Sequence, residues 1–406
     1  MYRLRAKISP PPALRSPFAP WPLCLFASLR VYLLMRVGFD ASPVRRHPSG
    51  VGHYAASLLE ALAVNHPEHQ YLVLSHLARI PFGASNLILT QRRAFPVKEI
   101  WMQLWLPRIL KRFRPDICHF TNGVAPLRME LPYVLSVHDL SLIRHPEWHP
   151  RSRRLWMRRI FRPSALRAAG ILCDSEAARK DVLAWIQVDP SCVRVVPLAA
   201  RRSFSRRCSD HEKSAVRKKY GLQKKFFLYV GNLEPRKNLS LLMRAFKEAD
   251  LPDFDVVLAG RRAWLWRDVL LEIGRERMES KVKLLDYVPE GDLAALYQCA
   301  SVFVYPSRME GFGLPLVEAM TSETPVVTSR VEPLVSLAGD AAWLAHPDDE
   351  KEWRQALEDA ASSEKERASR SLRAKQLAAQ YSWERTARET LRCYEAALSR
   401  ARETPI

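Results

Sequence analysis

At 406 residues, with 48% hydrophobic and 26% charged content, the chain is too long for one ordinary core and too apolar for a disordered polymer, which leaves two globular domains. An excess of 63 Lys and Arg over 43 Asp and Glu gives a formal charge of +20, which favours anionic partners, whether nucleic acid, acidic lipid or phosphorylated small molecules. The seven cysteines (Cys24, Cys118, Cys173, Cys192, Cys208, Cys299 and Cys393) lie scattered, which excludes a close-paired zinc or redox motif and points to a reducing compartment.

Residues 1–34 combine a Pro-rich stretch with the apolar segment CLFASLRVYLLM, which Arg30 interrupts and which is too short to span a bilayer. Arg residues ahead of it and the small Ala27 and Ser28 permit a poor signal peptide. The reading adopted is a non-native or disordered extension, because MRVGFDAS at Met35 makes a proper first strand.

From there, short apolar runs alternate with amphipathic helical stretches, the pattern of parallel sheets wrapped by helices. The first series predicts strands at 36–41, 71–75, 116–120, 133–139, 170–175 and 193–197, with helices such as 54–65 and 175–186 between them. Residues 200–221 are polar and basic without a strand signal and are predicted to be the interdomain region. A second series predicts strands at 226–231, 255–260, 281–288, 301–307, 324–329 and 341–346, with helices including 239–249, 292–300 and 315–322. Long helices without strand partners follow, from about Trp353 to Arg402. The expected fold class is α/β, two doubly wound parallel sheets in tandem with ligands at the C-terminal edges of their strands.

Two of those edges carry chemistry. In PSRMEGFGLPLVEAM, a doubly buried strand runs into a loop with Glu310, Gly311 and Gly313, then into a helix that has Pro315 in its first turn and Glu318 further on. The glycines allow close backbone approach, and the helix start offers unpaired N–H groups and partial positive charge to phosphate oxygens. Acids beside an anion seat repel the anion, so they are expected to face hydroxyls, as a sugar supplies. The second edge, VGNLEPRKN, places Arg236 and Lys237 where they would neutralise a diphosphate leaving group. Asn238 is expected to cap the following helix.

These segments, with VVLAGRRAW and AGDAAWL, resemble the GT-B glycosyltransferases of family 4, which are retaining and use nucleotide sugars; the likeness runs nearly the whole length from Met35. It implies two Rossmann-like domains facing across a cleft: an N-terminal acceptor domain over 35–200 completed by the C-terminal helix 383–406, and a donor domain over 222–382 beyond an interdomain region at 201–221. By this resemblance Arg236 and Lys237 hold the donor diphosphate, and Glu310 binds hydroxyls of the transferred sugar. Backbone groups of Gly311, Phe312, Gly313 and Leu314 contact phosphate or sugar. Glu318 binds the ribose, and Tyr287 and Val288 lie near the base. SGVGHYAASLLEAL resembles the family's glycine-rich loop, so Gly50 and Gly52 would approach donor phosphate or acceptor. YVLSVHDLSLIRHPEW resembles the segment with the active-site histidine, here His138. Two departures stand out: Glu323 where the family usually has glycine, and Val335 and Ser336 where it tends to have Pro-Glu.

The implied function is retaining, metal-independent hexosyl transfer without a cofactor. GDP-mannose is the first expectation for the donor and a UDP-sugar the second. The acceptor would be a saccharide or lipid-linked glycan of polysaccharide or cell-envelope synthesis. Asp253 and Asp255 form a DxD pattern, but at the opening of a strand, the wrong edge for a metal at the site. The basic stretches 101–114 and 151–167, with Leu155, Trp156, Ile160 and Phe161 among arginines, suggest a cytoplasmic enzyme resting on the inner face of an anionic membrane. Two rivals are weaker. A basic nucleic-acid binder shares those stretches but brings no motif. An NAD-dependent Rossmann oxidoreductase would explain Gly50, Gly52 and Ala55, yet that motif belongs directly after the first strand.

Overall fold

The computed structural model describes residues 34–403, apart from 46, 78–82, 91–93, 96 and 265 and the side chains at 152, 153 and 155–158. Apart from Leu34, the expected N-terminal extension lies outside the described residues. The described strands form two sheets. The first holds β1 (Arg36–Asp40), β2 (Gln70–Leu74), β3 (Leu87–Leu89), β4 (Ile117–Phe120), β5 (Tyr133–Val137), β6 (Gly170–Cys173) and β7 (Val193–Val195), in the order β3-β2-β1-β4-β5-β6-β7. The second holds β8 (Lys225–Val230), β9 (Phe254–Ala259), β10 (Val282–Asp286), β11 (Val302–Tyr305), β12 (Val326–Ser329) and β13 (Ala342–Ala345), in the order β10-β9-β8-β11-β12-β13. Every pairing is parallel.

Helices cover both faces, which is why the strands read as unbroken apolar runs; β4, β5, β9, β11 and β12 are buried at every position. Edge strands are less covered: β7 and β10 each have an exposed position, and β3, only three residues long with Leu89 half exposed, is the strand that periodicity did not predict. Strand order reverses between β1 and β4 and again between β8 and β11, so each sheet has a switch point where loops diverge and leave a crevice.

The stretch 201–221 is more than a connector. It contains the helix Asp210–Lys219, which Ser209 and Glu212 cap reciprocally and which buries Val216 and packs on the helix Glu290–Cys299 of the second lobe. At the other end, the helices Glu350–Ser362 and Glu364–Ala378 pack on the second lobe, while Trp383–Glu403 crosses to the helix Gly50–Asn65 and to β5 and β6 of the first. That crossing helix is keyed in place: Tyr394 Oη lies 2.7 Å from His119 Nδ1 in β4, and His119 Nε2 lies 2.6 Å from Ser136 Oγ. Burial holds His119 neutral, its pKa lowered to about 3. One apolar core runs from Phe39 and Leu58 through Phe204 to Tyr297, and a second, with Trp101, Phe120 and Val182, fills the other face of the first sheet.

Candidate active site

The loops at both switch points open onto one cavity of about 250 Å³ between the lobes. It is lined by Gly50, His53, Tyr54, His138 and Asp174 from the first lobe and by Arg236, Lys237, Tyr287, Glu310 and Glu318 from the second, with Arg201 between. The sequence placed Arg236 and Lys237 after β8 and the 310–314 loop after β11; these strands are neighbours at the second switch point, so the two loops meet.

They meet through an ion-pair network. Lys237 Nζ donates to Glu310 Oε1 at 2.5 Å and to Tyr305 Oη at 2.8 Å. Arg236 donates from Nη1 to Glu310 Oε2 at 3.1 Å and to the Met309 carbonyl at 3.0 Å, and from Nε to Glu234 at 2.5 Å. Glu310, expected to face sugar hydroxyls, is bonded to both cations in the structure. Burial penalises its charged form, yet Arg236 and Lys237 outweigh that and hold its carboxyl below the usual range. Burial and the neighbouring Arg236 lower the Lys237 pKa.

His138 faces this network from the end of β5. Its Nδ1 lies 2.7 Å from Asp174 Oδ2 and its Nε2 lies 2.9 Å from the Thr121 carbonyl. Both partners are acceptors, so both ring nitrogens donate and the ring is an imidazolium. Burial opposes that charge, but Asp174 and the two hydrogen bonds raise the pKa above its usual value. Next to it, Asp139 lies under the influence of Arg236 and accepts from Ser141 N and Oγ at 2.9 and 2.6 Å, which brings its pKa down to about 2 against the opposing effect of burial. Ser175 Oγ, one residue beyond Asp174, donates to the Gly311 carbonyl at 2.6 Å and so clasps one lobe to the other.

The remaining expected residues divide. Val288 lines the cavity beside Tyr287, whose ring sits between His47 at 4.6 Å and the Arg261 guanidinium at 5.2 Å. Gly313 has φ +105° and packs on Leu334, and Leu314 begins the helix Leu314–Thr321. No acceptor among the described residues takes the Gly313 and Leu314 N–H groups. Phe312 lines the cavity and stacks its ring edge-on against Tyr381 at 5.7 Å. Gly50 also lines the cavity, with open space around the position of a Cβ. Gly52 does not: a Cβ there would stand 2.6 Å from the Pro43 carbonyl, so this glycine packs its helix onto the preceding loop. Glu318 lines the cavity, but its Oε1 takes two bonds from Arg201, at 3.1 and 2.9 Å.

Sequence reading missed Arg201, His53, Glu290 and Asp174. Asp174 and Arg201 stand just past the C-terminal ends of β6 and β7, so the strand-edge rule that located Arg236 applies to them too. Asn238 is a correction: it adopts φ +55° and donates from Nδ2 to the Pro347 carbonyl at 2.6 Å rather than capping its helix. The 151–167 stretch is another. Ile160 and Phe161 are buried in the core and unavailable to a membrane, and the Leu155 and Trp156 side chains lie outside the described residues. Glu323, in place of the family's glycine, keeps a positive φ of +57° and pairs with Lys375 at 2.6 Å. Neither Val335 nor Ser336 lines the cavity. Asp253 and Asp255 stand at the start of β9, and among the described residues no group of three or more His, Cys, Asp or Glu has metal-binding geometry. Residues 41–49 separate β1 from Gly50, as the dinucleotide reading does not allow.

Comparison with known proteins gives a consistent picture. A family model described as Glycosyltransferase Family 4 matches residues 48–200, and one described as Glycosyl transferases group 1 matches 212–377. O-antigen chain mannosyltransferase B of Escherichia coli is 31% identical over 393 residues, covering 89% of this chain and 100% of the relative. O-antigen chain mannosyltransferase RfbU of Salmonella typhimurium LT2 is 26% identical over 285 residues, 68% of this chain and 74% of that one. Among solved structures, sucrose-phosphate synthase from Thermosynechococcus elongatus superposes with a TM-score of 0.71 at 16% identity, covering 90% of this chain and 99% of that one. Anabaena HepE in complex with UDP-glucose does so with a TM-score of 0.70 at 17% identity, covering 89% and 100%. Both structural likenesses speak to the GT-B fold.

Proposed function

The chain belongs to the glycosyltransferases of family 4, and we propose that it transfers a mannosyl group from GDP-mannose to a saccharide or lipid-linked acceptor in polysaccharide synthesis, with retention of configuration. The names of the two mannosyltransferase relatives support the sugar and the pathway class. The observation that carries the chemistry is the Arg236–Glu310–Lys237 network, which faces His138 across the cavity.

In this reading the donor diphosphate lies against Arg236, Lys237 and the N–H groups of Gly313 and Leu314. The cations exchange part of their hold on Glu310 for phosphate oxygens, and the released carboxylate accepts from hydroxyls of the hexose. Glu318 takes the ribose, and Tyr287 and Val288 flank the base. As the bond from the anomeric carbon to the phosphate oxygen breaks, negative charge grows on that oxygen and fixed cations stabilise it more in the transition state than in the ground state. The acceptor oxygen bonds to the anomeric carbon on the same face, and its proton passes to the departing phosphate. Arg236 and Lys237 supply the charge that a metal provides in other transferases, so the reaction is metal-independent. His138 has both nitrogens committed, so it serves by charge and by its backbone carbonyl, not by proton transfer. A thermal-shift screen over GDP-, UDP- and ADP-sugars tests the donor: GDP-mannose gives the largest stabilisation, and stabilisation by a UDP-sugar alone replaces mannose while leaving the class intact.

The enzyme works at the inner face of the membrane. No helix among the described residues is long and apolar enough to cross one. A contiguous exposed patch on the first lobe supports peripheral contact: Ile100, Leu104 and Trp105, with Arg108 over the Trp105 ring, lie beside Leu127, whose N–H meets Gln103 and whose carbonyl meets Arg167. Apolar side chains ringed by cations suit anionic lipid. In flotation, vesicles with acidic phospholipid carry the protein, neutral vesicles do not, and Leu104→Glu with Trp105→Glu abolishes binding; equal binding to neutral vesicles refutes it.

A further inference from the structure

His53, Arg201 and Glu290 have no part in the mechanism above, yet they converge on Glu318 at the far side of the cavity. Arg201 follows β7, is only 8% exposed and lies 4.6 Å over the Phe204 ring. Its three guanidinium nitrogens are all engaged. Nε and Nη2 donate to the same oxygen of Glu318, Oε1, at 3.1 and 2.9 Å. Nη1 meets Glu290 Oε2 at 2.9 Å and His53 Nδ1 at 3.2 Å.

Each contact fixes a state. Arginine only donates, so His53 Nδ1 must accept and the ring proton sits on Nε2. Burial and the adjacent Arg201 charge lower the His53 pKa to about 4, which keeps it neutral. On Glu318, two donors occupy Oε1, while among the described residues Oε2 has only Tyr297 Oη at 3.3 Å. Burial lifts this carboxyl above the usual range, and Arg201 is the main opposing influence. A ribose presents hydroxyl donors, which bond most strongly to an ionised acceptor with an open oxygen.

Resting on the reading of Glu318 as the ribose ligand, we propose that Arg201 is a positioning residue for ribose recognition: it holds Glu318 as a carboxylate turned so that Oε2 meets the ribose hydroxyls. Through His53, on the first-lobe helix Gly50–Asn65, Arg201 also ties that geometry to the first lobe.

The test compares binding of GDP, UDP and ADP with that of their 2′- and 3′-deoxy forms, by calorimetry on the full chain. For the nucleotide that binds, the wild type loses about tenfold on removal of a hydroxyl that meets Glu318, the size expected of a charge-assisted hydrogen bond. Arg201→Gln shrinks that penalty to under about threefold, and Arg201→Lys gives an intermediate value because it keeps the charge without the fork. Should Arg201→Gln not fold, Arg201→Lys carries the same comparison. A penalty lost in Glu318→Ala but retained in full by the Arg201 variants overturns the inference alone. A penalty that survives Glu318→Ala, which leaves no side-chain acceptor, or no binding of any of the three nucleotides to the wild type, overturns the ribose reading and the inference with it.

Discussion

The α-carbon of Gly311 lies so close to His138 that a Cβ on the glycine would stand 1.6 Å from the histidine's carbonyl oxygen. The donor-lobe loop and the first-lobe strand end are therefore in backbone contact, and the Ser175 hydrogen bond to the Gly311 carbonyl locks the same seam. Gly311→Ala forces the lobes apart at this seam, where the proposed function aligns sugar and acceptor. A displacement of about 1 Å there costs about 100-fold in rate. The expected outcome is a fall of that size in kcat/KM with both lobes folded, and small-angle scattering that reports a more open particle.

In the proposed function Glu310 has two jobs, and its removal would expose both. As a sugar ligand alone Glu310 would matter to turnover and not to the fold, but its carboxylate also neutralises Arg236 and Lys237. Stripping one partner from such a network costs about 3 kcal/mol. Glu310→Ala therefore lowers Tm as well as kcat, and a nucleoside diphosphate, by restoring negative charge between the cations, raises the variant's Tm more than the wild type's. Lys237→Ala weakens donor binding.

Asp174 sets a pH dependence through His138. The folded pKa of this histidine is raised above its ordinary 6.5, so the pair stabilises the fold fully below pH 6.5 and loses that contribution as pH rises through the folded value. Asp174→Asn removes the charge partner. The difference in stability between wild type and variant is then about 1–3 kcal/mol below pH 6.5 and narrows above it. Chemical denaturation at pH 6 and pH 9 measures it, and the alkaline limb of kcat moves to lower pH in the variant.

Much of the fold was legible because parallel strands covered on both faces must be apolar throughout. β8, β9 and β11 stand out as FFLYV, DVVLA and VFVY, whereas β3 has only three residues at an exposed edge and gives no such signal. The two loops that line the cavity were legible for a related reason: PRK and EGFGLPLVE are compact in sequence because each is one loop at one strand end. Gly52 misled, since a glycine that lets helix approach backbone reads the same as one that lets ligand approach it.

Sequence alone determined the buried strands and the loops that follow them, that those loops bear cations, acids and glycines, and that the chain carries two sheets. It did so because hydrophobic period and turn chemistry are local properties. Only tertiary structure decided which charges pair. Glu310 rather than solvent meets Arg236, Arg201 crosses 117 positions of chain to hold Glu318, and Asp174 turns His138 into a cation. Those outcomes depend on distance and burial, and an ionisable group takes its charge from whatever the fold sets beside it, however far away in the chain.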